Sequence, residues 1–300
     1  MVATIVLWSG FALSVRGIHG SSLTPFDIAT LRFTIPVILL SPWLPRAYRQ
    51  LKRERPSTML ALCTGAGAPY FLICAAGGAA TSAALVGIVI PGTVPLFVAG
   101  LSYALWRTRV RRIQTLALLL IVAGAMVSLL GAPSGAAVGG IAWLLLAGLV
   151  WAIYTLALRK TGLDPISATL VLCVPSAVVM IVLLLTGVLP SHLLEGTARI
   201  SDMVIFSLVQ GVGVGVLAAV CYAIALRHLS SAVAATLGAL SPVLTLLLAV
   251  PIFHEPITVA TVFTLILMLA GVIGFNLASV RPAPQHPMAK ESREINDPAQ

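Results

Sequence analysis

Long apolar runs separated by short polar breaks make up most of this 300-residue chain. A bilayer core of roughly 30 Å is crossed by about 20 apolar helical residues, and each run is close to that length. The pattern therefore predicts an all-α integral membrane protein with ten transmembrane helices. The predicted spans are residues 2–18, 26–44, 58–77, 82–104, 113–131, 139–158, 165–187, 203–226, 230–251 and 257–279.

The composition excludes a soluble protein. Hydrophobic residues make up 59% of the chain and charged residues 9%, and the mean hydropathy is +1.06. Soluble domains carry roughly 25% charged residues. So little charge cannot cover a surface that faces water, so we expect the outer surface to contact the lipid bilayer.

The net charge of +9 is better explained by membrane topology than by nucleic-acid binding, because no continuous basic face or recognition motif is present. Basic residues concentrate in alternate breaks, whereas the other breaks hold only Arg199, as the positive-inside rule requires. We therefore expect both termini in the cytoplasm, with a polar disordered tail at 280–300. The short loops and the lack of a long luminal tail favour a bacterial inner membrane. The basic breaks are 45–57, 105–112, 159–164, 227–229 and the tail.

The two halves of the chain share residues in the same order, which predicts an internal repeat of residues 1–131 and 139–279. Each copy would contain five helices, and an odd number makes the second copy enter the membrane from the opposite side. Inverted repeats of this kind are typical of secondary transporters. The matching features are Trp8 and Arg16 with Trp151 and Arg159, Ala29-Thr30-Leu31 and Pro36 with Ala168-Thr169-Leu170 and Pro175, Cys74 with Cys221, Pro95 with Pro242, and Gly124 with Gly271.

Four short motifs resemble the EamA repeat of the drug/metabolite transporter superfamily, and the resemblance covers residues 1 to 279. They are Trp8-Ser9-Gly10-Phe11, Ala29-Thr30-Leu31-Arg32-Phe33, Leu240-Ser241-Pro242-Val243 and Phe253-His254-Glu255-Pro256-Ile257-Thr258. The resemblance implies ten helices in two inverted five-helix repeats. It also implies export of small metabolites, with amino acids or related compounds as the first expectation for the substrate.

Arg32 is the foremost candidate for substrate binding. It lies about two turns into the second predicted helix, roughly 9 Å below its end, where a charge usually points into the bundle or a cavity. Arg32 is expected to attract a substrate carboxylate or to gate the outer vestibule. The structural alternatives are an ion pair with Glu255 or a cap on the carbonyls of a broken helix.

Aromatic and amide side chains complete the predicted substrate-binding set. Residues three apart share one helical face, so two aromatic pairs are expected to enclose a substrate from opposite halves. The alternatives are ordinary ring packing or interfacial belts, and helix-to-helix hydrogen bonding for the amide. The set is Trp8 with Phe11, Trp151 with Tyr154, the hydroxyl-bearing Tyr70 and Tyr222, and Gln210.

Prolines and glycines inside the spans predict structural or hinge positions. Proline removes a backbone donor and kinks a helix, and glycines permit close helix approach. Glu255, in the last of the four motifs, is included as a structural residue. The full set is Pro36, Pro95, Pro175, Pro242, Gly211, Gly215 and Glu255.

No carboxylate is expected at mid-membrane, where a proton or sodium relay would place one, which favours transport driven by the substrate gradient. The four cysteines lack ligand spacing and are expected to be buried packing residues. An intramembrane enzyme would need paired acids or a nucleophile with a base, so no catalysis, cofactor or metal is predicted. Small-molecule substrate and lipid are the expected partners, with a monomer or weak oligomer. A non-transporting sensor or scaffold remains the alternative.

Overall fold

The computed structural model describes residues 1–229, 233 and 237–279, and within them the chain is helical without strands. The predicted tail at 280–300 lies outside the described residues. The helices are α1 Val2–Gly17, α2 Pro25–Leu39, α3 Leu44–Leu51, α4 Pro56–Ala66, α5 Ala68–Ala79, α6 Ala83–Trp106, α7 Arg112–Leu130, α8 Gly135–Leu158, α9 Pro165–Leu185, α10 Ile200–Phe206, a π-helical segment Ser207–Leu217, α11 Ala218–His228, α12 Ser241–Phe253 and α13 Val259–Ser279.

Eight helical segments in the described part of the chain are long and apolar enough to cross a membrane. The number becomes nine if α2 and the following Ser41–Leu51, which are bent by 63° relative to each other, form one span. The predicted span 230–251 lies partly outside the described residues, and its described part is the 13-residue α12. Large apolar side chains such as Leu130 and Ile200 are exposed on the outside, as expected where the surface meets lipid.

One predicted feature of the backbone is wrong in detail. The predicted loop 45–57 contains the helix α3. Helices α2, α6 and α9 continue through Pro36, Pro95 and Pro175, and Pro242 lies in the first turn of α12, so the hinge role of these prolines stays a prediction.

The third predicted span is broken at Gly67, which separates α4 from α5. A Cβ at this glycine would collide with the carbonyl oxygen of Cys63. The hydroxyl of Ser176 accepts a hydrogen bond from the Ala68 amide at 3.1 Å, so one of the amides that start α5 has a side-chain partner. The contact with Ser176 of α9 therefore stabilises the break.

The helices pack around a core that contains the fully buried side chains of Phe33, Phe71, Ile88, Leu144 and Met180. Helix α1 contacts α12, α11 and the π-helical segment, and α8 contacts α6, α4 and α5. Helix α2 packs against both α9 and the π-helical segment, and α13 packs along α7. Most of these contacts join one half of the chain to the other.

Helix α6 is long enough to show which other helix ends lie at opposite ends of the molecule. Its 24 residues span about 36 Å. Glu255 accepts hydrogen bonds from the first amide, that of Ala83, at 2.9 and 3.1 Å, whereas Arg107 follows the last residue of the helix. Arg107 and His254 are the described non-glycine residues with positive φ, at 55° and 54°, and their spacing in the chain equals that of Pro95 and Pro242. These two corresponding helix ends therefore lie at opposite ends of α6.

Candidate substrate-binding site

Arg32 lies in the middle of the candidate site, on α2, and only 8% of its surface is exposed. Three phenylalanine rings surround the guanidinium carbon, with ring centroids 5.1 Å away for Phe11, 5.6 Å for Phe33 and 5.5 Å for Phe71. Ring faces attract cations, so the rings stabilise the charge although no acidic side chain among the described residues pairs with it. The predicted orientation of Arg32 into the bundle is what the structure shows.

Gln210 supplies the hydrogen-bond acceptor for this arginine. Its side chain is fully buried, and its Oε1 accepts from Nη1 of Arg32. Its Nε2 donates to Oγ of Ser14 at 2.6 Å, and the Ser14 hydroxyl donates to the Phe11 carbonyl at 2.8 Å. The Nε of Arg32 has no hydrogen-bond partner among the described residues. A chain of polar groups thus runs from α2 through the π-helical segment to α1.

The pairing of Arg32 with Glu255, one of the structural alternatives, is wrong. Glu255 instead forms an ion pair with Arg16 at 3.0 Å and accepts the Ala83 amide of α6. The reason is positional, because Arg16 lies in the last turn of α1, near the start of α6, whereas Arg32 lies deeper in the bundle. Glu255 therefore joins three elements at one end of the molecule, in a structural role.

Four of the predicted aromatic residues form a continuous row, which we call the aromatic row and which consists of Phe11, Tyr70, Trp151 and Tyr154. The Phe11 and Tyr70 rings are stacked with centroids 6.2 Å apart. Tyr70 and Trp151 are 5.0 Å apart, and Trp151 and Tyr154 are 5.1 Å apart. Side chains from both halves of the chain therefore meet, with Arg32 over the Phe11 end of the row.

Trp8 does not join this row. Its ring packs against Tyr222 of α11, with centroids 5.3 Å apart, and near Gly238, where a Cβ would lie 3.1 Å from the indole. The expected enclosure by Trp8 and Trp151 thus becomes two separate aromatic groups. Trp8 and Phe11 have different neighbours because Phe11 lies about one turn further along α1, where its ring stacks on Tyr70 of α5.

The glycine pair at Gly211 and Gly215 contacts α2 closely. A Cβ on Gly211 would lie 2.6 Å from Ile35, and one on Gly215 would lie 2.5 Å from Pro36. The predicted close approach of helices is present, but the segment winds as a π-helix rather than an α-helix. The wider winding places Gln210 against Arg32, and π-helical turns are frequent at functional sites.

A groove opens beside this polar chain, between α1 and the region around the π-helical segment. Its volume is about 420 Å³, and its lining includes Gly10, Leu13, Ser14, Phe206, Val209 and Phe253. Because Ser14 lines the groove and also accepts from Gln210, the groove reaches the polar chain that ends at Arg32. We call it the α1 groove.

The sequence alone assigned no site role to Ser14, Phe33, Phe71 or Arg16. Phe71 and Phe33 are each adjacent to a predicted site residue, but adjacency on a helix does not by itself predict a shared contact. Ser14 lies three residues after Phe11, and this spacing is the one signal that marks it. Within the described residues, no group of three or more His, Cys, Asp or Glu side chains is placed to hold a metal ion.

The chain resembles a known family in sequence and a solved structure in fold. The sequence model of the EamA-like transporter family matches it twice, over residues 1–130 and 138–277. No curated protein matches it. A solved structure described as "Crystal structure of protein" is similar, with a TM-score of 0.57 and 22% sequence identity over 92% of this chain and 94% of that chain. That likeness shows the fold alone. Since the family model covers nearly the whole length, the chain belongs to the EamA-like transporter family, within the drug/metabolite transporter superfamily.

Proposed function

We propose that this membrane protein is a secondary transporter that exports small metabolites, namely amino acids or related compounds, by alternating access. Membership of a transporter family supports transport. The observation that carries the proposal is the buried Arg32, which is enclosed by aromatic rings and bonded to a side chain from the other half of the chain. Burying a charge inside a membrane protein is costly and usually marks a substrate pathway.

The acidic side chains near this site are engaged elsewhere. Among the described acidic residues, Arg32 has no carboxylate within ion-pair distance. Glu195 is exposed at the surface, and the others accept hydrogen bonds at the helix ends or in the connecting segments. Those others are Asp27, Glu54, Asp164, Asp202 and Glu255. A buried cation that lacks an internal counter-charge is suited to an anionic group of a solute.

We further propose ten spans in two inverted copies, residues 1–131 and 139–279, that rock against each other. Corresponding helix ends at Arg107 and His254 lie at opposite ends of α6, which supports inversion. The packing supports it too, since the contacts of α1 with α12 and α11 correspond to those of α8 with α6 and α5 when the two copies are exchanged.

A cytoplasmic location of both termini in an inner membrane is part of the same proposal. Lys160 lies 3.9 Å from the ring centroid of Trp106, and Arg46 lies 3.0 Å from Asp164. These contacts gather the basic segments before α4, after α6 and after α8 at one end of the molecule. Such a concentration of Lys and Arg supports a cytoplasmic position for that end.

The test is uptake of a pool of labelled amino acids into proteoliposomes containing the full chain. We expect accumulation of selected members without an imposed proton gradient. Arg32→Ala should reduce it at least about tenfold, equivalent to about 1.4 kcal/mol of lost binding. Arg49→Ala, which removes an exposed arginine, is the matched control and should transport normally.

Two results would contradict this proposal. Absence of uptake of every pool member by folded protein would remove amino acids as substrates and favour the sensor or scaffold. Uptake that requires a proton gradient would contradict facilitated transport. Cysteine labelling beside Trp151 tests alternating access separately, because the position should change its accessibility when substrate is added.

A further inference from the structure

The hydrogen-bonding capacity of Arg32 is incompletely used. A guanidinium group carries five N–H donors in a planar fork. Here Nη1 donates to the neutral Gln210 Oε1, and Nε has no acceptor among the described residues. Only 8% of the Arg32 surface is exposed, which restricts the access of water to its N–H donors. Within the described part of the chain, the site therefore holds a cation with a single neutral acceptor and a remaining donor without a partner.

The shape of that acceptor indicates what the site accommodates. A carboxamide is the neutral isostere of a carboxylate, since both are planar groups with an sp² oxygen. Both side faces of the site are formed by aromatic rings, with Phe11 and Phe71 centroids 5.1 and 5.5 Å from the guanidinium carbon. A flat anion can pair with the planar fork in the bidentate manner that arginine favours, whereas a tetrahedral phosphate has a different shape.

We propose that Gln210 occupies, in the unloaded protein, the place of a carboxylate of the transported solute, which binds by displacing Gln210 Oε1 from Arg32. This inference rests on the proposed transport function and assigns the chemical class of group that the site recognises. Arg32 is the binding residue, and Gln210 is a competing internal ligand. Binding exchanges a neutral acceptor for an anionic one, and charge-assisted hydrogen bonds are roughly twice as strong as neutral ones.

The neighbours of Gln210 allow its side chain to leave Arg32. Its Nε2 already bonds to Ser14 Oγ at 2.6 Å, and Ser14 lines the α1 groove. The carboxamide therefore keeps one hydrogen bond when it leaves Arg32. Because Gln210 belongs to the π-helical segment that packs on α2 through Gly211 and Gly215, its displacement also alters the contact between the two halves.

Substitutions of Gln210 test the proposal because they change the competing group and leave the Arg32 side chain in place. Gln210→Glu supplies a permanent carboxylate, so the variant should unfold at a higher temperature than wild type and no longer respond to added carboxylate. Gln210→Leu removes the competitor, so it should unfold at a lower temperature without ligand and respond more strongly. The expected order of response is Leu above Gln above Glu.

The measurement is thermal unfolding of the full chain in detergent with sodium acetate, at ionic strength held constant with sodium chloride. Acetamide is the neutral control, and inorganic phosphate is the second anion. Acetate should raise the midpoint of wild type by about 3 °C, as binding to the folded state predicts, and should leave Gln210→Glu unmoved. The proposal is overturned if acetamide or phosphate shifts the midpoint as much as acetate does. It is also overturned if acetate shifts the midpoint of Gln210→Glu as much as that of wild type.

The uptake assay separates this inference from the proposed function. Uptake of amino acids by wild type without any acetate-specific shift would leave transport standing and overturn the assignment of Arg32 and Gln210. An acetate-specific shift that follows the expected order, without uptake of any pool member, would support the carboxylate site and contradict amino-acid transport.

Discussion

Helices α2 and α9 begin in corresponding places of the two halves, yet their first turns are held by different chemistry. In α2 the capping residue is Thr24 and a carboxylate follows three residues later at Asp27. In α9 the carboxylate is the cap itself, Asp164, and a hydroxyl follows three residues later at Ser167. Each first turn also binds the segment that follows the other helix. The two helix starts therefore use the same two groups, a hydroxyl and a carboxylate, in exchanged positions.

The start of α2 is buried and uses neutral donors. Asp27 has no exposed surface and accepts from Ser191 Oγ at 2.6 Å and from the His192 amide at 3.1 Å. It also accepts the Thr24 amide at 3.0 Å, which completes a capping box. Because these donors are uncharged and enclosed, salt has little access to the contact.

The start of α9 is ionic and partly exposed. Asp164 accepts from Gln50 at 2.8 Å and pairs with Arg46 at 3.0 Å, and the Arg46 side chain is 56% exposed. Burial alone would raise the pKa of the Asp164 carboxyl, but hydrogen bonds from Ser167 and Gln50 and the charge of Arg46 together lower it below its ordinary 3.8. The contact of Asp164, at the end with the basic segments, is therefore weaker than the buried contact of Asp27. We expect the helices at that end to separate more readily.

The largest expected effect is at Asp27. Asp27→Ala leaves the Ser191 hydroxyl and the His192 amide without their buried acceptor, which should cost about 3 kcal/mol in free energy of unfolding. The corresponding Asp164→Ala should cost about 1 kcal/mol, the usual loss when a helix-capping side chain is removed. Unfolding in mixed micelles with increasing denaturing detergent measures both. Equal losses would contradict the distinction between the two helix starts.

An intermediate effect is expected at a second pair of corresponding positions. Glu255→Ala removes the acceptor of the Ala83 amide and the partner of Arg16, and the Glu255 side chain is only 13% exposed. The expected cost is about 2 kcal/mol. Thr108→Ala, the matched control after α6, should change the free energy of unfolding by less than about 0.5 kcal/mol. A comparable loss at Thr108 would show that the first half contains an equivalent contact.

The smallest effect concerns pH. Because the pKa of Asp164 is lower in the folded protein, this carboxylate stabilises the fold above its ordinary pKa, and the contribution is lost as the pH falls through the folded value. The advantage of wild type over Asp164→Asn should therefore be constant above about pH 5 and shrink as the pH falls below 3.8. Equilibrium unfolding of both proteins across this range provides the check. An advantage that does not vary with pH would mean that the carboxylate is not stabilised in the folded state.

Much of the fold followed from local sequence. Apolar length predicted the helical segments, and eight of them have the length and hydropathy of membrane spans in the described residues. These eight agree with the predicted segments to within several residues, for instance 82–104 against Ala83–Trp106. Such predictions succeed because crossing a bilayer depends on the length and composition of one segment.

The candidate site was predicted less completely. Arg32, Gln210, Phe11 and Tyr70 do gather, because polar and aromatic side chains inside apolar spans turn towards the interior. The partner of Arg32 was not foreseen, since it depends on the winding of another helix. In an α-helix Gln210 would take a different angular position, and no local pattern distinguished the π-helical winding of Ser207–Leu217.

The sequence by itself determined the membrane class, the approximate helical segments, the repeated order of motifs and the family. These properties depend on composition and on residues close in the chain. Only the tertiary structure decided that Arg32 bonds to Gln210, that Glu255 bonds to Arg16, and that Trp8 packs apart from the aromatic row. Those outcomes depend on how each helix is rotated and how deeply it is inserted relative to its neighbours, which packing across the two halves determines.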